Sequence, residues 1–298
     1  MPGSGDKAGL RMETKKILIF LASLVALLAA IAAGAGLLLS VNSAPFEFTT
    51  VRGQTAQIYG GGIYQFDTLF SAAGYRGQDA TALFLGISLL VVAIFFYQRG
   101  SLRGQLLLSG MLGYFLYLYV SMALGAAFNS LFLLYIAIFS TSLFTYILSF
   151  VNIDWQRLSD RLPVLPRRSL AGFMVASGLI TLFVWGLPLA AALFSGRPPD
   201  RLDSYTTMVT YALDLAIITP ATFLCAYLVL RDLPPGYAIA CPLLVLIVLL
   251  VPQIILSTYF QRSAGVPFTT GEMVGPVVGF VILGIIAVWL LASLLKRI

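Results

Sequence analysis

The sequence predicts an all-α polytopic membrane protein, a bundle of about eight transmembrane helices with both termini cytoplasmic and a short extracytoplasmic interfacial segment. Three observations lead there. Apolar side chains make up 59% of the 298 residues and charged ones only 10%, where a soluble domain carries about 25% charged residues. The apolar residues gather into eight runs, each long enough to cross a ~30 Å hydrocarbon layer. The cations fall unevenly on the two sides of those runs, as the positive-inside rule requires.

Taken in order, residues 1–16 form a basic cytoplasmic tail with Lys7, Arg11, Lys15 and Lys16. Residues 17–298 form a single transmembrane domain. Its first run, Ile17–Leu39, is longer than the apolar region of a signal peptide and reads as a retained helix. Residues 40–78 are the extracytoplasmic segment, where aromatic side chains mix with glycines and polar residues as they do at a membrane interface. Two local structures compete there: a surface helix over Tyr64–Ala73 and an extended hairpin over Phe46–Ile58.

Seven further runs follow at Ala80–Tyr97, Leu106–Leu124, Leu131–Phe150, Leu170–Leu193, Tyr205–Leu230, Tyr237–Leu256 and Met273–Leu295. With eight crossings, thirteen lysines and arginines fall on the side of the termini and five on the other. The expected compartment is the plasma membrane of a prokaryote. No convincing internal repeat is visible, and the long segment after the first run has no counterpart of similar length after the fifth.

Several chemistries lack their residues. There is no histidine, which removes the usual zinc and haem ligand and the serine–histidine dyad. No Walker or GxGxxG loop is present, and no basic run tracks a nucleic-acid backbone. The two cysteines, Cys225 and Cys241, lie in apolar runs and read as free thiols. No catalytic residue, metal or cofactor is therefore expected, and the chain reads as a non-enzyme.

The residue that stands out is Asp214, inside the run Tyr205–Leu230 at close to mid-membrane depth. An intramembrane carboxyl is costly and marks a candidate site. Thr210 and Tyr211 lie one turn before it. Pro220, after Thr219, removes a backbone donor and frees the carbonyl of Ala216. No lysine or arginine lies within an apolar run to pair with Asp214, and no other aspartate reads as membrane-embedded. The bland alternative is a carboxyl that serves only as packing glue between helices. Tyr114, Tyr117, Tyr135 and Tyr146, on the helical hairpin closed by Asn129, could line a pocket or simply pack. Asp67, Asp79 and Glu272 form an outer set, with Asp79 and Glu272 read as helix N-terminal charges.

Two functions follow. The first is a transporter-like or small-ligand-binding protein with the site at Asp214, Thr210, Tyr211 and Thr219, taking a small molecule or ion. The second is a non-catalytic scaffold or assembly subunit, embedded in the bilayer, that binds a protein partner through residues 41–79.

Overall fold

The structure, a computed structural model, describes residues 4–39 and 44–298; the side chains of 4–8, 10, 11, 200, 270, 272–274 and 276 fall outside that description. Among the described residues eight helices are long and apolar enough to cross a membrane. They are α1 (Ser4–Leu38), α2 (Leu69–Gln98), α3 (Leu102–Gly125), α4 (Phe132–Val151), α5 (Arg167–Ser195), α6 (Val209–Leu230), α7 (Pro234–Ser263) and α8 (Thr270–Arg297). Because α1 starts at Ser4, the basic stretch forms its opening turns.

In the outer segment the hairpin forms. Strands β1 (Phe46–Thr49) and β2 (Thr55–Ile58) pair antiparallel, with Phe46 opposite Ile58 and Thr49 opposite Thr55. Gly53 supplies the positive φ of the turn. The surface helix over Tyr64–Ala73 does not form as a separate element. Thr68 instead caps α2, its hydroxyl accepting from the Ser71 N–H at 3.2 Å, which starts that helix at Leu69. Asp79 consequently sits inside α2, where it is buried, and is not the helix-terminal charge the sequence suggests. The polar stretch ahead of Ala80 becomes helical because it packs on α7. Gly77 lies so close to the Ser257 backbone that no Cβ would fit, and the Ser257 hydroxyl donates to the Gly74 carbonyl at 2.8 Å.

The most buried span is α3. Tyr114, Phe115 and Tyr119 on it are almost fully enclosed, and the Tyr119 hydroxyl donates to the Ala29 carbonyl of α1 at 3.2 Å. Together α2, α3 and α7 form the middle of the bundle; α1 and α4 close one flank, and α5, α6 and α8 lie on the other.

A repeat invisible in the sequence organises this bundle. The helix α2 carries a π-helical segment at Ala82–Gly86 and α6 carries one at Asp214–Ile218. Twelve α-helical residues follow in each case, Ile87–Gln98 and Thr219–Leu230. Three connecting residues then precede α3 and α7. The register shift is 132 residues from the π-helical segments to the starts of α3 and α7. It also pairs Arg99, over the Phe95 ring at 4.1 Å, with Arg231, over the Tyr227 ring at 5.5 Å. Gly100 and Asp232 both have positive φ. Gly104 presses on the Phe96–Tyr97 backbone as Gly236 presses on the Leu228–Val229 backbone. Six residues, 126–131 and 264–269, join the last two helices of each set. Spans α1–α4 and α5–α8 are thus two four-helix units with matching neighbours: first on second, second on third, third on fourth. Their helix packing differs at one pair. In the first unit α1 packs along α4, whereas α5 and α8 barely meet.

Candidate functional site

Asp214 opens the π-helical segment of α6, and that geometry answers the missing donor of Pro220. The Thr219 N–H reaches back five residues to the Asp214 carbonyl, so the helix widens by one residue where the proline would otherwise break it. The Asp214 side chain is 9% exposed. Its Oδ1 accepts from the Tyr117 hydroxyl of α3 at 2.7 Å, and the Trp185 indole of α5 lies beside it. Trp185 in turn packs on Tyr211, with ring centroids 4.3 Å apart.

Asp214 also borders a cavity of about 560 Å³ between α5, α6, α7 and α8, a volume in the usual range for small-molecule sites. Leu243, Leu246, Ile247 and Leu250 line its α7 wall, while Gly275 and Gly279 line the α8 wall. Among the described lining residues polar groups are few. Beside Asp214 there are Ser177, Thr181 and Trp185 on α5 and Thr222 on α6. The Thr181 and Thr222 hydroxyls donate to backbone carbonyls within their own helices. The Ser177 hydroxyl is buried and has no partner among the described residues.

The structure therefore unites only part of the expected set. Tyr117 bonds Asp214 from the side away from the cavity, and Tyr211 reaches the site through Trp185. Thr219 is buried next to the proline with its hydroxyl unpartnered, so it does not satisfy the freed carbonyl. Thr210 is an exposed residue of the first turn of α6. Tyr114 packs edge-on to Phe115, and Tyr135 lies against Tyr119; both belong to the first unit. Tyr146 stacks near Phe150, close to Gly113 and Pro242. Ser177 and Trp185 were not among the expected residues, yet a signal existed: Ser177, Thr181 and Trp185 recur every four residues, which draws a polar stripe along one face of an apolar helix.

A second group of acids lies under the hairpin. Asp67 is fully buried, and its Oδ1 accepts from the Ala127 N–H at 2.7 Å and the Tyr205 hydroxyl at 2.8 Å. It thereby joins the start of α2, the α3–α4 turn and the segment before α6. Burial pushes the Asp67 carboxyl up to about 6, against the pull of those two donors. Asp79 accepts from the Tyr64 hydroxyl at 2.6 Å. The pair fills the space left by Gly36 of α1, where a Cβ would strike the carboxyl. Asp79 is thus a second aspartate enclosed within a spanning helix, contrary to the expectation that Asp214 stands alone. Its flanking sequence, Gly74 to Thr81, is polar, which hid it. Glu272 lies in the first turn of α8, but its side chain is outside the described residues.

Among the described residues no group of three or more acids, histidines and cysteines could hold a metal ion, and Cys225 and Cys241 are free and buried. Comparison with protein-family models, curated proteins and solved structures finds no match.

Proposed function

We propose that this multi-pass membrane protein binds, and in a transporter-like manner passes, a small ligand at the mid-membrane carboxyl of Asp214, without catalysing a reaction. The observation that carries the reading is the cavity reaching that carboxyl. A side chain used only as packing glue would be sealed by its neighbours; Asp214 is tied to α3 on one side and open to an internal volume on the other. Tyr117 and Trp185 orient the carboxyl, and the cavity walls exclude competing water. The charge bias supports a reading with both termini in the cytoplasm and the hairpin on the outer face of a cell membrane. The test is a thermal-shift screen of small cations and neutral solutes on detergent-purified protein, followed by vesicle uptake of each hit. Wild type should show stabilisation and uptake that Asp214→Asn lacks; equal behaviour of the two for every hit removes the role.

One observation favours the scaffold reading as a second possibility. All four residues of β1 are exposed, and Val51 at the hairpin tip is 99% exposed. An exposed strand edge carrying Phe46 and Phe48 is a template for a partner strand. Replacing Phe46, Phe48 and Val51 by serine should then abolish co-purification of a partner while the bundle still folds. Unchanged recovery of the same partner would end this reading.

A further inference from the structure

The cavity at Asp214 has a way in that does not pass through water. Its α5 wall ends in Ile180 and Val184, and its α8 wall ends in Ile282; these rim residues are exposed at 43%, 46% and 55%. They lie within the apolar length of α5 and α8, so the medium they face in a bilayer is hydrocarbon. The gap between them is the place where the helix packing of the two four-helix units differs. In the first unit the equivalent boundary is shut by α1 packed against α4. The same helix order can evidently be closed. In the second unit a volume of about 560 Å³ stays open instead.

The chemistry of the walls selects an occupant. Aliphatic side chains of α7 and glycines of α8 would accept an alkyl body. Against this apolar lining stands the carboxyl of Asp214, beside Trp185. Tyr117 and Trp185 both offer donors to Asp214, and among the described residues no lysine or arginine lines the cavity. An anionic head would meet an uncompensated carboxylate in a low-dielectric site. A head that brings positive charge and N–H donors would satisfy Asp214.

We propose that the α5–α8 cleft takes a membrane-dissolved amphipath with an alkyl body and an amine head, entering sideways from the hydrocarbon, with the head held by Asp214. This rests on the reading of Asp214 as a ligand anchor and adds both the ligand class and the route.

Trp185 provides the probe, because it lies in the cavity beside the carboxyl. The other two tryptophans, Trp155 and Trp289, are replaced by phenylalanine, and the protein is placed in lipid nanodiscs. A bromine-tipped alkylamine, the alcohol of the same chain length and the corresponding carboxylic acid are then titrated as quenchers of Trp185. A charge-assisted contact predicts that the amine quenches at about tenfold lower concentration than the alcohol, with the acid weakest. Asp214→Asn should bring amine and alcohol together. Equal quenching by amine and alcohol in the wild type overturns the head-group assignment. Quenching by aqueous iodide or acrylamide but not by the alkyl probes overturns the lateral route while leaving a ligand site at Asp214 intact. If no quencher from either phase reaches Trp185, both this proposal and the reading beneath it fail.

Discussion

The Tyr117 hydroxyl donates to Asp214 Oδ1 at 2.7 Å, joining the most buried helix of the bundle to the π-helical segment of α6. Only Tyr117 of the four hairpin tyrosines reaches the acid, and it does so from behind the cavity. It is therefore a positioning residue. Tyr117→Phe keeps the ring and removes the donor, so it should cost about 1–2 kcal/mol in stability, the range for a buried bond between membrane helices. In a double-mutant cycle with Asp214→Asn, chemical denaturation should show a coupling of the same order. Additive effects would mean the bond contributes nothing in the membrane.

The buried Asp67 makes stability depend on pH in a stated direction. Its folded-state pKa is about 6, against about 3.9 in an unfolded chain. Between those values the folded protein holds the proton more tightly. The stabilisation is whole below about pH 4 and is lost as pH rises through 6, by about 3 kcal/mol in total. Unfolding midpoints measured from pH 4 to pH 8 should therefore fall and then level off. Asp67→Asn, which can still accept from the Ala127 N–H and the Tyr205 hydroxyl, should flatten that part of the profile. A profile that rises over the same window would contradict the burial argument.

What the sequence disclosed follows from the length scale of each signal. Spans are long, and a run such as Leu131–Phe150 differs from α4 by a residue at each end because twenty apolar residues leave little freedom. Asp214 was legible because a charge in an apolar run is conspicuous. Asp79 was not, because the residues before it are polar and became helical only through the close approach of Gly77 to Ser257. The four-helix repeat was hidden for another reason. Helix packing constrains backbone spacing more than side-chain identity, so at the 132-residue shift Arg99/Arg231 and Gly104/Gly236 stand out while most neighbours differ. The cavity could not be read at all, since it depends on how far α8 stands from α5.

The paired glycines test whether the two units share one backbone geometry. A Cβ at Gly104 would meet the backbone at Phe96 and Tyr97, and one at Gly236 would meet it at Leu228 and Val229. Gly104→Ala and Gly236→Ala should each destabilise by about 1–3 kcal/mol through overpacking. Gly172→Ala serves as control, because nothing lies within 4 Å of its would-be Cβ. That change should be neutral or slightly stabilising, since alanine is the better helix former. Thermal unfolding of the three variants decides the matter: a tolerant Gly236→Ala beside an intolerant Gly104→Ala would break the equivalence.

The equivalence makes a sharper prediction at Ser88. At the common register Ser88 corresponds to Pro220, and Phe84 to Ala216. The Ser88 hydroxyl donates to the Phe84 carbonyl at 2.8 Å, and the π-helical segment Ala82–Gly86 precedes it just as Asp214–Ile218 precedes Pro220. Proline in a helix interior ordinarily costs about 3 kcal/mol, because it removes a hydrogen bond and its ring strikes the carbonyl four residues back. A helix already widened ahead of position 88 has moved that carbonyl aside, as α6 shows at Pro220. Ser88→Pro should therefore cost about 1 kcal/mol or less, the loss of one exposed hydroxyl bond. Leu90→Pro, two residues on and beyond the widened turn, should show the full penalty. Similar large losses for both substitutions, measured as unfolding midpoints in the same detergent, would show that the π-helical turn in α2 does not do what its counterpart in α6 does.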